Sequence, residues 1–171
     1  DENIHPLFQY SLLGFILAHE ITHAFDLSHI IFDEMKNYDS TGSEVADHFE
    51  NFFNCSNQTD ISVVSENMAD VIGIRLAYRT YFKRNNAIHN VVSELPSTDY
   101  SSEQLFFINS LQFLCANMSE ISKLSITELD LEHEHHDKRV LKNWAYFEKF
   151  SEAFSCAKDT QMNPEENCRL W

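Results

Sequence analysis

His19-Glu20-Ile21-Thr22-His23 is an H-E-x-x-H sequence, and the reading of the whole chain turns on it. On a helix, residues four apart point the same way, so both imidazoles can reach one ion. Glu20 sits beside the first of them, where a carboxylate can take a proton from an attacking water. The run from Leu12 to Ala18 before the motif and Ala24-Phe25 after it are apolar, which predicts a buried helix from Tyr10 to Ala24. Two core histidines with an incidental Glu would spell the same pattern, on the order of once in a few hundred chains of this length. A second motif has to decide.

That motif is Glu66-Asn67-Met68-Ala69-Asp70, an E-x-x-x-D run that starts 42 residues after Ala24-bounded H-E-x-x-H. Ser65 is a plausible cap for a long helix to about Arg84, along which Met68, Val71, Ile72, Leu76 and Tyr78 recur near helical spacing. Two His and one Glu make a catalytic zinc shell with the fourth position open. Asp70, one turn beyond Glu66 on the same face, can accept the spare ring N–H of a ligating His and fix its tautomer. Asp26, three residues after His23, is a second candidate for that work. In isolation Glu66 and Asp70 would read as an acidic pair on a solvated face; after the H-E-x-x-H helix they read as part of a metal site.

Composition narrows the rest. The chain has 171 residues, enough for one domain with a sizeable core, and 43% of them are hydrophobic, which argues against wholesale disorder. Three Gly and three Pro leave little turn chemistry for a many-stranded sandwich or barrel, so long helices are expected. A net charge of −15 would repel phosphates and disfavours nucleic acid as a partner. The longest apolar stretch, Leu12 to Ala18, falls far short of the roughly 20 residues that a membrane span needs. The chain opens on Asp1-Glu2-Asn3, without an initiator Met or a signal peptide, and is expected to be a processed product or a segment of something longer.

Four cysteines allow two disulfides in three pairings, and none forms a C-x-x-C pair. Glycosylation acceptors occur at Asn54, Asn57 and Asn117. Together these lean towards an oxidising, extracellular compartment, secreted or the ectodomain of a plasma-membrane protein. Other elements follow from local signals. A polar helix is expected from about Glu44 to Phe53, then a loop from Asn54 to Asp60, with further loops at 39–43 and 95–99. Ser101 and Gln104 form a capping-box pattern ahead of a central apolar helix at Leu105. A charged stretch from Glu128 to Arg139 precedes a helix near Val140 to Phe154, and Asn163 caps a helix that begins at Pro164.

The sequence resembles the neprilysin and endothelin-converting enzyme family of zinc metallopeptidases. The resemblance rests on Ala18 to Asp26, on Glu66 to Asp70, on Phe150-Ser151-Glu152-Ala153-Phe154-Ser155-Cys156, on Met162-Asn163-Pro164-Glu165 and on the ending Cys168-Arg169-Leu170-Trp171. It spans nearly the whole chain and implies that residues 1–171 are the C-terminal catalytic part of such a peptidase. The implied fold is mainly α, with gluzincin-type, thermolysin-like active-site helices and any strands short and near the N-terminus. One zinc ion would be held by His19, His23 and Glu66, with Glu20 as general base and Asp70 in the outer shell. Counting back from Trp171, the family's transition-state His falls on His133 and its substrate-binding Arg on Arg139, with His135 and His136 as competitors for the former. Substrates would be small peptides, cut on the amino side of hydrophobic residues.

The resemblance also implies a Cys55–Cys168 disulfide, and partners for Cys115 and Cys156 in an upstream half. The family's glycines beside the two His ligands are here Ala18 and Ala24, which adds methyls where packing is tight. Leu27-Ser28-His29 stands where the family has a polar, Gly-containing turn, and the family's strand motif for the substrate backbone is missing. The second hypothesis is therefore a catalytically impaired module that binds peptides or pairs with an upstream half or a full-length relative.

Overall fold

Two helices that cross at a glycine position everything else. The first is the expected metal helix, α2 (Phe15–Thr22), and the second is the 27-residue α4 (Ile61–Ala87). Both belong to a computed structural model that describes residues 4–26, 35, 37, 43–56, 60–87, 99–115, 119, 133–165 and 168. Short α1 (Pro6–Phe8) and a widened π turn (Gln9–Gly14) lead into α2, and one turn of 3-10 helix (His23–Phe25) ends it. Among the described residues the remaining α-helices are α3 (Ser43–Ser56), α5 (Ser102–Ser110), α6 (His136–Arg139) and α7 (Glu148–Ala153). The fold is mainly helical. Among the described residues there is no strand; an isolated bridge joins Thr160 and Asn163.

Gly73 is what lets α2 and α4 approach. A Cβ on it would lie 3.0 Å from the His19 backbone nitrogen, 3.2 Å from its Cα and 3.3 Å from its Cβ. These are backbone and near-backbone atoms that cannot swing aside. Ala would gain up to about 1 kcal/mol in helix propensity, but overpacking costs about 1–3 kcal/mol. We expect the second term to win. Gly73→Ala should lower the urea midpoint and weaken zinc binding together, because relief of the clash moves His19. A raised midpoint would show that propensity dominates.

The core behind the crossing is aromatic. Phe15, Ile74, Tyr78, Tyr81, Phe106, Phe107, Trp144, Phe147 and Phe150 form one buried cluster. Tyr78 stacks on Phe107 with ring centroids 5.4 Å apart and meets Phe106 and Phe147 edge-on at 5.5 and 5.3 Å, and its hydroxyl donates to Glu103. Burial, reinforced by the Glu103 carboxylate, pushes the Tyr78 phenol well above its ordinary value. A second cluster of Phe49, Phe52, Val64, Met68, Val71 and Cys168 packs the other side of α4. There Cys55 and Cys168 are bonded, with Cα atoms 5.5 Å apart at a sequence separation of 113. A loop of that length closes at a stabilisation of about 4–5 kcal/mol on the chain-entropy account.

Several sequence expectations need correction. The segment from Tyr10 to Ala24 is helical, but it is not buried throughout: Phe15, Ala18, His19 and Thr22 face α4, while Leu13 and Leu17 are 65% and 61% exposed and Ile21 and Phe25 are also exposed. A run that is apolar all round cannot reveal which side meets a neighbour. The Ala18 methyl is buried, whereas Ala24 is exposed. The long helix starts at Ile61, where Asp60 Oδ1 accepts from the Ser62 N–H, and Ser65 is inside it and buried. α3 runs on through Asn54 and Cys55 to Ser56, so those residues are not loop.

The capping box at Ser101 and Gln104 forms in both directions. The helix it opens has Phe106 and Phe107 fully buried but leaves Ile108 partly exposed. The Val140–Phe154 segment is split: a π turn (Val140–Trp144) follows α6, and the chain turns before α7. Arg75 donates to the Tyr146 carbonyl and lies over the Phe147 ring, which holds that break. Asn163 caps no helix among the described residues; its amide donates to the Cys156 carbonyl instead. The turn at 27–29, most of the loops at 39–43 and 95–99, the stretch 120–132, Asn57 and Asn117 lie outside the described residues; Asn54 is exposed near the end of α3.

Candidate metal centre

His19 and His23 leave α2 and its terminal turn on the side that faces α4, and Glu66 rises from α4 to meet them. One ligand atom from each of the three lies within 4.8 Å of the others. His19 Nε2 is 3.2 Å from His23 Nε2 and 3.2 Å from Glu66 Oε2, and His23 Nε2 is 3.4 Å from Glu66 Oε1. The opposite ring nitrogens are engaged as well. His19 Nδ1 is 3.1 Å from Asp70 Oδ1, and His23 Nδ1 is 3.4 Å from Asp26 Oδ2. A carboxylate only accepts, so each Nδ1 carries its hydrogen, and Nε2 is the ring atom turned towards Glu66.

Two lone pairs and a carboxylate aimed at one point repel each other unless a cation sits among them. Glu66 Oε2 is buried and makes no well-directed hydrogen bond among the described residues, although ring nitrogens are nearby. That is the behaviour of a donor set aimed at a shared centre rather than of three partners bonded in pairs. The set of two imidazoles and a carboxylate suits zinc. Burial lowers the His19 pKa, but hydrogen bonds and charge from Asp70 and Glu66 outweigh it and raise it from 6.5 to about 9. Burial raises the Glu66 pKa, and the close His19 ring together with the charges of His133, His19 and His23 more than reverses this.

Asp70 is the hub behind the donors and is fully buried. Arg139 grips it with two bonds, Nε to Oδ2 at 2.8 Å and Nη2 to Oδ1 at 2.7 Å. Asn143 Nδ2 adds a third at 2.8 Å to Oδ2. Burial pushes the Asp70 carboxyl up, but His19 and Arg139 hold it below its ordinary value of 3.8. The sequence placed Arg139 on substrate; its guanidinium is committed to Asp70 while it still lines a cleft with Phe15, Ile16, His19, Glu20, Phe113 and His133.

Of the three neighbouring histidines, His133 reaches the centre, with Nε2 2.8 Å from Glu66 Oε2. His135 turns to Asp137, and His136 donates to the Leu114 carbonyl. Glu20 is exposed beside His19 on the cleft wall, and Asp26 is buried behind His23. Sequence reasoning missed Asn67, Glu134, Lys142 and Asn143. Asn67 stood inside the quoted motif, three residues before Asp70, and Asn143 stands four after Arg139; both are helical spacings that bring polar groups together.

An H-E-x-x-H helix crossed by a Glu-bearing helix defines a gluzincin-type fold of the zinc metallopeptidases. The sequence model of Peptidase family M13 matches residues 1–170, and the chain belongs to that family. Among its relatives, human membrane metallo-endopeptidase-like 1 is 30% identical over 93% of this chain, rabbit (Oryctolagus cuniculus) neprilysin 30% over 95%, and Caenorhabditis elegans neprilysin-2 31% over 93%. The chain covers 22%, 24% and 23% of those proteins, so it spans less than a quarter of their length. Among solved structures, a Mycobacterium tuberculosis zinc metalloprotease in complex with inhibitor superposes with a TM-score of 0.77 over 100% of this chain and 29% of its own, at 18% identity. A Haemonchus galactose containing glycoprotein complex does so at 0.79 over 96% and 30%, at 21% identity. These structural likenesses speak to the fold.

Proposed function

We propose that this chain carries the catalytic centre of a zinc endopeptidase that hydrolyses small peptides. The convergence of His19, His23 and Glu66 within 4.8 Å is the observation that carries the reading. His19, His23 and Glu66 would hold one zinc ion, which would supply Lewis acidity to the scissile carbonyl and to the attacking water. Glu20 takes a proton from the attacking water and delivers it to the leaving amine. His133 donates a hydrogen bond to the oxygen on which charge develops, where a preorganised donor is most effective. Asp70 and Asp26 hold the two imidazoles in the tautomer that offers Nε2 to the metal. Arg139, fixed by Asp70, orients the substrate backbone at the cleft.

Phe15, Ile16 and Phe113 give that cleft apolar walls beside Glu20, which supports cleavage on the amino side of a hydrophobic residue. A Cys55–Cys168 bond persists in oxidising surroundings, which supports an extracellular setting. Among the described residues no helix is long and apolar enough to cross a membrane. The purified chain is expected to hold one zinc per molecule and to cleave a fluorogenic peptide with a hydrophobic residue after the scissile bond, with activity removed by a chelator. Zinc bound without cleavage, in the presence and absence of an added upstream half, would favour the peptide-binding module instead.

A further inference from the structure

A polar chain runs through the interior from Asp70 to the residue beside His133, and the metal reading does not use it. Asn143 Nδ2 donates to Asp70 Oδ2 at 2.8 Å and to Asn67 Oδ1 at 2.9 Å. Asn67 Nδ2 then donates to Glu134 Oε2 at 2.9 Å. Lys142 Nζ completes the series with bonds of 2.8 and 3.1 Å to the two Glu134 oxygens. Asn67 is 2% and Asn143 0% exposed. The two carboxylates at the ends only accept, so each amide must turn its NH2 towards one of them, and neither amide can flip without losing a charge-assisted bond. The chain therefore has one orientation.

We infer that Asn67, Glu134, Lys142 and Asn143 form a positioning device that sets His133 at the metal centre, by tying the residue next to it to α4 and to the π turn after α6. The step from structure to effect is short. His133 has no helix of its own: α6 begins at His136, and His133 precedes it in a bend. Glu134 shares its backbone, so fixing the Glu134 carboxylate to Asn67, the neighbour of Glu66 in sequence, fixes His133 relative to Glu66. Lys142 compensates the Glu134 charge, without which a carboxylate with a largely buried side chain would be poorly tolerated. None of the four touches the donor atoms that converge on the centre. They act through His133.

This inference rests on the catalytic role proposed for His133, so its test has one readout that needs no catalysis. Lys142→Met and Glu134→Gln are suitable variants, since Lys142 is partly exposed and Gln preserves the shape of Glu. In each, nuclear Overhauser contacts between the His133 ring and the Glu66 side chain should be lost in the zinc-free chain, while those between His19 and His23 persist. Zinc stoichiometry should stay unchanged. In peptide hydrolysis, kcat should fall about tenfold with KM unchanged, because an oxyanion donor acts in the transition state and a displacement of order 1 Å can cost up to about a hundredfold. Lys142→Arg should restore both readouts. Retention of the His133–Glu66 contacts in both variants would overturn the inference, as would a rise in KM at constant kcat. If the unaltered chain binds zinc and does not hydrolyse peptide, the magnetic-resonance readout decides alone, and the failure belongs to the proposed function.

Discussion

Glu20→Gln is expected to abolish measurable peptide hydrolysis while leaving zinc in place. Gln has the size of Glu and still hydrogen-bonds, but it cannot accept a proton. The converging donors are His19, His23 and Glu66, so the substitution removes none of them. Glu20 is exposed, hence its replacement leaves no buried group unpaired. General-base loss alone lowers the rate by about 10² to 10⁴-fold. The decisive comparison is kcat/KM for a fluorogenic peptide set beside zinc content and urea midpoint. Loss of activity with both of the others unchanged identifies the base. Activity near that of the unaltered chain would remove Glu20 from the mechanism and leave the cleft without a proton acceptor beside His19.

The second large effect is expected at Asp70. Asp70→Ala strips partners from His19, Arg139 and Asn143 at once and leaves a guanidinium buried without its counter-charge. Breaking a buried pair in this way costs about 3–5 kcal/mol, a large share of the roughly 5–15 kcal/mol that holds a domain together. Loss of an outer partner of a ligating His also weakens metal binding, typically by about 10–100-fold. Asp70→Asn separates the two effects, since it keeps the shape and one acceptor but brings an NH2 against Arg139 and Asn143. It should lie between Ala and the unaltered chain in urea unfolding. The sign with pH is fixed too. The Asp70 carboxyl is held below 3.8, so its contribution is complete above that pH and is lost as pH falls further through its folded value. Equal stability of Asp70→Ala and the unaltered chain would mean that the buried network contributes nothing.

These two positions show what a sequence discloses and what it withholds. His19, His23, Glu66 and Asp70 were legible because helical geometry converts spacing into direction, and H-E-x-x-H and E-x-x-x-D each place their polar groups on one face. The capping box at Ser101 was legible for the same local reason. The start of α4 was misplaced because Ser65 and Asp60 both suit a cap and only the first turn's packing chooses between them. Lys142 and Glu134 were opaque: eight residues apart across a turn, they look like ordinary surface charges in a charged stretch. Their meeting depends on the π turn at Val140–Trp144, which widens the helix and has no simple signature. The exposed side of α2 was hidden because Leu13, Leu17 and Ile21 carry the same apolar character as its buried side.

Cys55 and Cys168 bracket α4, α5, α6 and α7, including Glu66, Asp70, His133 and Arg139. A protease that nicks the backbone between them therefore releases nothing: both pieces remain one covalent molecule until a reductant arrives. For a nick between Glu66 and His133, the redox state of the surroundings decides whether the two pieces that carry them stay covalently joined.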